Sequence, residues 1–373
     1  MRLQRSAAGG LGGAADSADC ADSVRSAGTV DPADTIDPTE AVARRALGDF
    51  GIAGEADLRF VNRRENVVFR VTADTGEWAL KVHRPGYHTD GEIESEAAFL
   101  QTLAGAGVGV AQPLRRRDGS HVAHVADAHG ATVQVSVQEW LPSATPLGSS
   151  PDTFTGRGCP AVADLRELGR TIALLHDCAE RSGAPAGYDR HAWDAAGLCG
   201  PEALWGSAAH LPALSAAQRT TLAEAEAAVA RDLHRLDRSP ASYGPIHADL
   251  TMENVLVSGG RIAVIDFDDC GEGWYLFDLA TACFFLTGHP RGDGLVAAVL
   301  DGYRAQRPLT RRDVEAWQPL LLARALSYLA WSVDRPDEEA TRFHLEHLLP
   351  HILPAASRYV ATGRTGWPEL VAG

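Results

Sequence analysis

The residues with the most chemical content lie in the segment Ile246-His247-Ala248-Asp249-Leu250-Thr251-Met252-Glu253-Asn254-Val255-Leu256-Val257, followed by Val264-Ile265-Asp266-Phe267-Asp268-Asp269. Phosphoryl transfer from a nucleotide needs one carboxylate to orient an attacking hydroxyl and accept its proton, and oxygen ligands to hold magnesium on the phosphates. This stretch supplies both. Val255 to Val257 and Ile262 to Ile265 read as short strands around the turn Ser258-Gly259-Gly260-Arg261. A hairpin brings its ends together, so Asn254 before it and Asp266 after it can face one magnesium ion, a hard cation that prefers oxygen ligands. Asp249 shares the loop with Asn254.

Two lobes are expected to position these groups. Pro38 starts a helix in which Ala41, Val42, Ala46, Leu47 and Phe50 recur at helical spacing. Strands follow at Leu58 to Val61, Val67 to Val71 and Trp78 to Val82, then a helix from Glu92 to Leu103 and strands at His121 to Val125 and Thr132 to Leu141. These make a five-stranded sheet with an inserted helix, the small N-lobe of residues 37–142. From residue 143 to 363 the texture is helical: Val162, Leu165, Leu168, Ile172 and Leu175 share one face, Ser215 to Leu236 forms a second helix, and Thr310 with Asp313 caps a helix starting near Arg311. Residues 1–36 are Ala, Gly, Ser and Asp-rich and read as a disordered tail, its Gly9 to Gly13 run included; residues 364–373 read as a C-terminal tail.

His247 to Asn254 resembles the His-Gly-Asp-x-x-x-x-Asn catalytic loop of the aminoglycoside phosphotransferase and choline kinase branch of the protein-kinase-like superfamily, and Asp266-Phe267-Asp268 resembles its counterpart of the kinase Asp-Phe-Gly element. Asp268-Asp269-Cys270-Gly271, Gly273-Trp274-Tyr275 and Asp278-Leu279-Ala280 are most similar to the bacterial stress-response kinases and type II homoserine kinases. The likeness spans roughly residues 40 to 360 in element order. It implies a bilobal α+β fold, ATP and Mg2+, Asp249 as catalytic base, Asn254 and Asp266 as metal ligands, His247 bracing the loop, and Asp278 as structural. Lys81, in Trp78-Ala79-Leu80-Lys81-Val82, matches the strand lysine that pairs with nucleotide phosphates; Glu96 orients it, with Glu94 as the alternative partner. The backbone of Glu139 and Leu141 resembles the adenine-binding hinge. Asn66 is the candidate phosphate contact in the glycine-free turn Asn62-Arg63-Arg64-Glu65-Asn66. Ala248 departs from the usual glycine, and Thr251 stands where protein kinases carry a lysine.

The implied activity is transfer of the γ-phosphoryl group of ATP to a hydroxyl of a small molecule: an amino alcohol, an amino sugar or aminoglycoside-like antibiotic, or a hydroxy amino acid. A Ser/Thr protein kinase of the stress-response type is the alternative, but only Phe267 to Phe277 separates Asp266 from Asp278, too little for a peptide platform. A nucleotide-binding pseudoenzyme is the other; retention of Asp249, Asp266 and Lys81 argues against it.

Composition narrows the setting. The 373 residues are 45% hydrophobic and 22% charged, as in folded globular chains. With 34 Lys plus Arg against 49 Asp plus Glu, the net charge of −15 opposes nucleic-acid binding. The six cysteines form no CxxC pair, no apolar run spans a membrane, and a cytoplasmic location is expected. Arg324 interrupts the apolar run Leu320 to Trp331. His121, His124 and His129, like His344, His347 and His351, read as wet polar faces rather than metal sites. Asp334 to Glu339 reads as the acidic start of a helix opened by Pro336. Asp268, Asp269 and Glu272 either face the acceptor, binding an amine or a second magnesium, or brace the loop.

Overall fold

The computed structural model describes residues 38–52, 54–200 and 202–371; the expected N-terminal tail lies outside the described residues. Helix α1 (Pro38–Ala46) precedes β1 (Asp57–Arg63), β2 (Val67–Ala73), β3 (Gly76–Val82), α2 (Asp90–Gly105), β4 (Ala123–Ala126) and β5 (Thr132–Glu139). The strands form one antiparallel sheet in the order β1-β2-β3-β5-β4. Alternation in β2 buries Val67, Phe69 and Val71, which share a core with Val42, Ala43 and Ala46 of α1. Thr89 and Glu92 close a capping box at the start of α2, while its Phe99, Leu100 and Leu103 belong to the core of the larger lobe. Helix α2 is thereby anchored between the lobes.

The larger lobe contains β6 (Thr145–Pro146), α3 (Ser150–Thr155), α4 (Val162–Ser182), β7 (Ala192–Trp193), α5 (Ala195–Leu198), α6 (Ala216–Leu233), β8 (Tyr243–Ile246), β9 (Val255–Ser258), β10 (Arg261–Val264), β11 (Gly271–Trp274), α7 (Tyr275–Phe284), α8 (Gly292–Gln306), α9 (Arg311–Trp331), α10 (Glu339–Phe343) and α11 (Leu349–Thr362). Small sheets β10-β9-β6 and β7-β11-β8 flank the catalytic segment. Helix α7 is buried along its whole length, and α9 from Ala316 to Ala330, which is why neither shows a polar stripe. Helices α4 and α8 cross with backbone nearly touching: a Cβ on Gly169 would strike Val299 C=O, and one on Gly302 would strike Arg166 C=O.

Two expectations change, at Pro336 and at the C-terminus. Pro336 opens no helix: it takes the second place of a turn closed by the Glu338 N–H on Arg335 C=O at 3.3 Å, a position that its fixed φ also suits, and α10 begins only at Glu339. Residues 344–348 form a π-turn joining α10 to α11. The C-terminal segment docks rather than trailing away: Trp367 stacks on His351 with centroids 5.1 Å apart, and Trp317 Nε1 donates to Pro368 C=O at 2.9 Å.

Candidate active site

The loop after β8 is held from beneath by Asp278 on α7. Its fully buried carboxylate accepts the His247 N–H at 3.0 Å and the Ala248 N–H at 2.7 Å, and His176 Nε2 lies 3.2 Å away. Two consecutive N–H groups aimed at one carboxylate require a sharp bend, and Ala248 makes it with φ 67°, the left-handed region in which glycine is at ease. His247 braces the next step. It accepts the Asp249 N–H at Nδ1 (3.1 Å), so its proton is on Nε2, which donates to Ile265 C=O at 3.0 Å.

This presents the Asp249 carboxylate with both oxygens engaged. Asn254 Nδ2 donates to Oδ2 and to the Asp249 C=O, each at 2.9 Å, and Arg324 Nη2 donates to Oδ1 at 2.6 Å. Burial pushes the Asp249 carboxyl above the usual carboxylate range, with Arg324 and His247 pulling against it. Asn254 spends its NH2 on Asp249, leaving its side-chain oxygen for another partner. The Ile265 N–H donates to Asn254 C=O at 3.0 Å, so the base of the β9–β10 hairpin sets Asp266 beside Asn254.

Asp266 also has a left-handed backbone, φ 64°. Its Oδ1 accepts Lys81 Nζ at 2.9 Å across the lobes, and Lys81 lies 3.8 Å from Glu96 Oε1. Glu96 is steadied by Gln138 Nε2 at 3.1 Å. Burial opposes the charge on Lys81, but Asp266, Glu96 and Asp268 outweigh it and hold the ammonium above its ordinary value. Glu94 is not a partner of Lys81, because both its oxygens are taken by the N–H and ring of His121 at 2.6 Å.

The hinge strand is partly committed. The Glu139 N–H donates to Gln112 C=O at 2.8 Å, whereas the Leu141 N–H has no hydrogen-bond partner among the described residues. Asn66 is engaged too, donating to Asp268 Oδ1 at 3.0 Å across the lobes, and Glu65 meets Arg335 at 3.1 Å. Burial would raise Asp268, but His88 and Lys81 prevail and hold it well below the carboxylate range. Asp269 is opposite in character. Burial, Asp249 and Asp268 push its carboxyl well up against the opposing charge of Arg324, and the side chain makes no hydrogen bond or ion pair among the described residues, although its backbone C=O accepts Trp193 Nε1 at 2.8 Å. Glu272 lies in β11, registered against Pro245 and Ala192.

The histidine groups separate. His121 pairs with Glu94, His124 with Asp90, His344 with Ser332 and His351 with Thr287. Among the described residues no three His, Cys, Asp or Glu side chains gather as a metal site. A metal here takes few protein ligands, as magnesium does when phosphates and water complete its shell. The free Asn254 oxygen and the Asp266 carboxylate are hard donors that suit it. Sequence reasoning missed Arg324, whose one visible signal was a charge inside an apolar helix.

A two-lobed fold with a strand lysine, a helix glutamate and an Asp/Asn/Asp catalytic segment is that of a protein-kinase-like phosphotransferase. Residues 57–320 match the model of the phosphotransferase enzyme family, and the chain belongs to it. It is 31% identical to a microcompartment-associated aminopropanol kinase of solved structure, over 87% of this chain and 98% of that one, with TM-score 0.75. It is 27% identical to a homoserine kinase of Methylobacterium sp. (strain 4-46), over 76% of this chain and 82% of the relative. An amicoumacin kinase solved with AMP-PNP, Ca2+ and Ami shares the fold at TM-score 0.66 and 19% identity, covering 85% of this chain and 93% of that one. The protein is an ATP-dependent phosphotransferase whose acceptor is a hydroxyl of a small molecule. No described helix is long and apolar enough to cross a membrane.

Proposed function

We propose that this enzyme phosphorylates the hydroxyl of a short amino alcohol, with Asp249 as the base. Its chief support is the Asp249 carboxylate, held from both sides by Asn254 and Arg324 at the end of a loop clamped by Asp278. The acceptor hydroxyl donates to Asp249, which takes the proton as the new oxygen–phosphorus bond forms and the bridging oxygen leaves with ADP. Lys81, positioned by Glu96, supplies positive charge to the nucleotide phosphates, and the free Leu141 N–H suits an adenine edge. Asn254 and Asp266 would hold Mg2+, which neutralises phosphate charge when bound. Both Asn66 and the Glu139 N–H must leave their present partners to touch nucleotide; the C=O of Glu139 need not.

The amine is favoured by Asp269. Its carboxyl is pushed up by burial and by the charges of Asp249 and Asp268, with Arg324 pulling only partly against them, so a positive group on the acceptor would favour its ionised form. The likeness to an aminopropanol kinase over nearly its whole chain points the same way.

ADP release should be followed with Mg2+ and ATP across 1-aminopropan-2-ol, ethanolamine, choline, homoserine, an aminoglycoside and a generic protein. A short amino alcohol is expected to give the highest kcat/KM. Asp249→Asn should lower kcat by roughly 10³-fold while ATP still binds. Undiminished turnover in that variant would remove Asp249 from the chemistry.

A further inference from the structure

Arg324 is an expensive residue in its position. It lies on α9 with its side chain wholly buried, and its Nε and Nη1 have no hydrogen-bond partner. A buried guanidinium with unpaired N–H groups is a poor way to stabilise a helix; hydrophobic residues of similar volume in place of both members of a buried ion pair often serve stability as well or better. The surroundings nevertheless fit this cation. The guanidinium carbon stands 4.1 Å from the ring centroid of Tyr328, 4.9 Å from Trp205 and 5.6 Å from Phe277, so three aromatic faces surround a planar charge. The one nitrogen that escapes this cage, Nη2, reaches Asp249 Oδ1.

Asn254 holds the other oxygen, but it belongs to the same loop as its target and moves with it. Arg324 comes from a different helix, rooted in the core, and is the contact that refers the carboxylate to the rest of the lobe. Without it the carboxylate can rotate about its Cα–Cβ bond, and a displacement of ~1 Å at a reacting group costs on the order of 10²-fold in rate.

We propose that Arg324 is a positioning residue, which fixes the Asp249 carboxylate toward the acceptor hydroxyl and is kept for that rather than for stability. This rests on Asp249 being the base. Lysine cannot substitute fully, since it lacks the plane that stacks in the cage and the second arm that reaches out of it.

The test compares Arg324→Met, Arg324→Gln and Arg324→Lys with Asp249→Asn and the Asp249→Asn/Arg324→Met pair, using full-length protein, the best acceptor of the panel and parallel thermal melts. Arg324→Met and Arg324→Gln should lower kcat by ~10²-fold with KM for ATP within about threefold of wild type, and Arg324→Lys should recover part of the loss. Arg324→Met alone strands the Asp249 carboxylate without its cation, so the melting comparison is made in the Asp249→Asn background, where adding Arg324→Met should not lower the melting temperature further. In the Asp249→Asn background, Arg324→Met should cost no more than about threefold further, because a residue acting through Asp249 has nothing left to act on. A folded Met or Gln variant with near wild-type kcat overturns the positioning role. So does an equal further loss in the double variant, or a large further fall in melting temperature when Arg324→Met is added to Asp249→Asn, since either marks a general structural part. If Asp249→Asn itself retains turnover, the assignment of the base fails first, and the two failures are told apart.

Discussion

Replacing Asp278 with Ala tests whether the catalytic loop is held from below. The carboxylate is fully buried and accepts two consecutive backbone N–H groups, from His247 at 3.0 Å and Ala248 at 2.7 Å. A hydrogen bond to a charged acceptor contributes about 1.5–3 kcal/mol, so losing both costs about 3–6 kcal/mol, a large share of a domain's ~5–15 kcal/mol. His176 adds to the loss, since its neutral ring, lowered by burial, is left with Tyr303 alone. Asp278→Asn keeps one acceptor oxygen but turns an NH2 toward the other N–H, so it should lose a comparable or smaller amount. The assay is urea unfolding at equilibrium, with kcat measured on the fraction still folded. Activity should fall with stability, because Ala248 loses the contact that maintains its left-handed backbone. An Asp278→Ala protein within ~1 kcal/mol of wild type would show that water or a neighbour satisfies those N–H groups, and the clamp would be refuted.

Further outcomes follow from single contacts. Ala248→Gly relieves a left-handed backbone that costs an L-residue about 1–2 kcal/mol, partly offset by the entropy of glycine in the unfolded chain, so stability should rise by up to ~1 kcal/mol in urea melts. Gly302→Ala drives a methyl into Arg166 C=O where α4 and α8 cross and should destabilise by at least ~1–3 kcal/mol, read by calorimetry. His88, near Asp268 at 3.5 Å and Glu92 at 3.7 Å, is disfavoured as a cation by burial, yet these acids raise it to about 9. Because the folded value exceeds the ordinary 6.5, its contribution is complete below that pH and is lost as pH rises through about 9; a His88→Gln protein should lack this fall in melting temperature between pH 6.5 and 9.5.

Much of the fold was legible because its signals are local. The alternation in β2, the capping box at Thr310 and the Gly259-Gly260 turn each lie within a few residues of what they determine. The short strands β7, β8 and β11 were not legible. Each is a few residues long and exists only because its partner is brought alongside, so no periodicity announces it. Pro336 misled for a related reason: a proline's fixed φ suits a first helical turn and the second place of a turn alike, and here the turn Arg335 to Glu338 takes it.

The site divides along the same line. Asp249, Asn254 and Asp266 could be grouped because one hairpin joins them, and Lys81 with Glu96 because a strand and the next helix do. The groups that set their behaviour come from far along the chain: Asp278 from α7, Arg324 from α9 and Asp268 against Asn66. Hydrophobic periodicity says nothing about these, since α7 and α9 are apolar all round and a polar residue on them has no face to betray it. What remains readable is the exception itself. An acid at the start of the apolar run Leu276 to Leu286 and a base within Leu320 to Trp331 must each find a counter-charge or hydrogen-bond donors in the core. In a chain whose chemistry centres on one buried loop, that loop is where both find them.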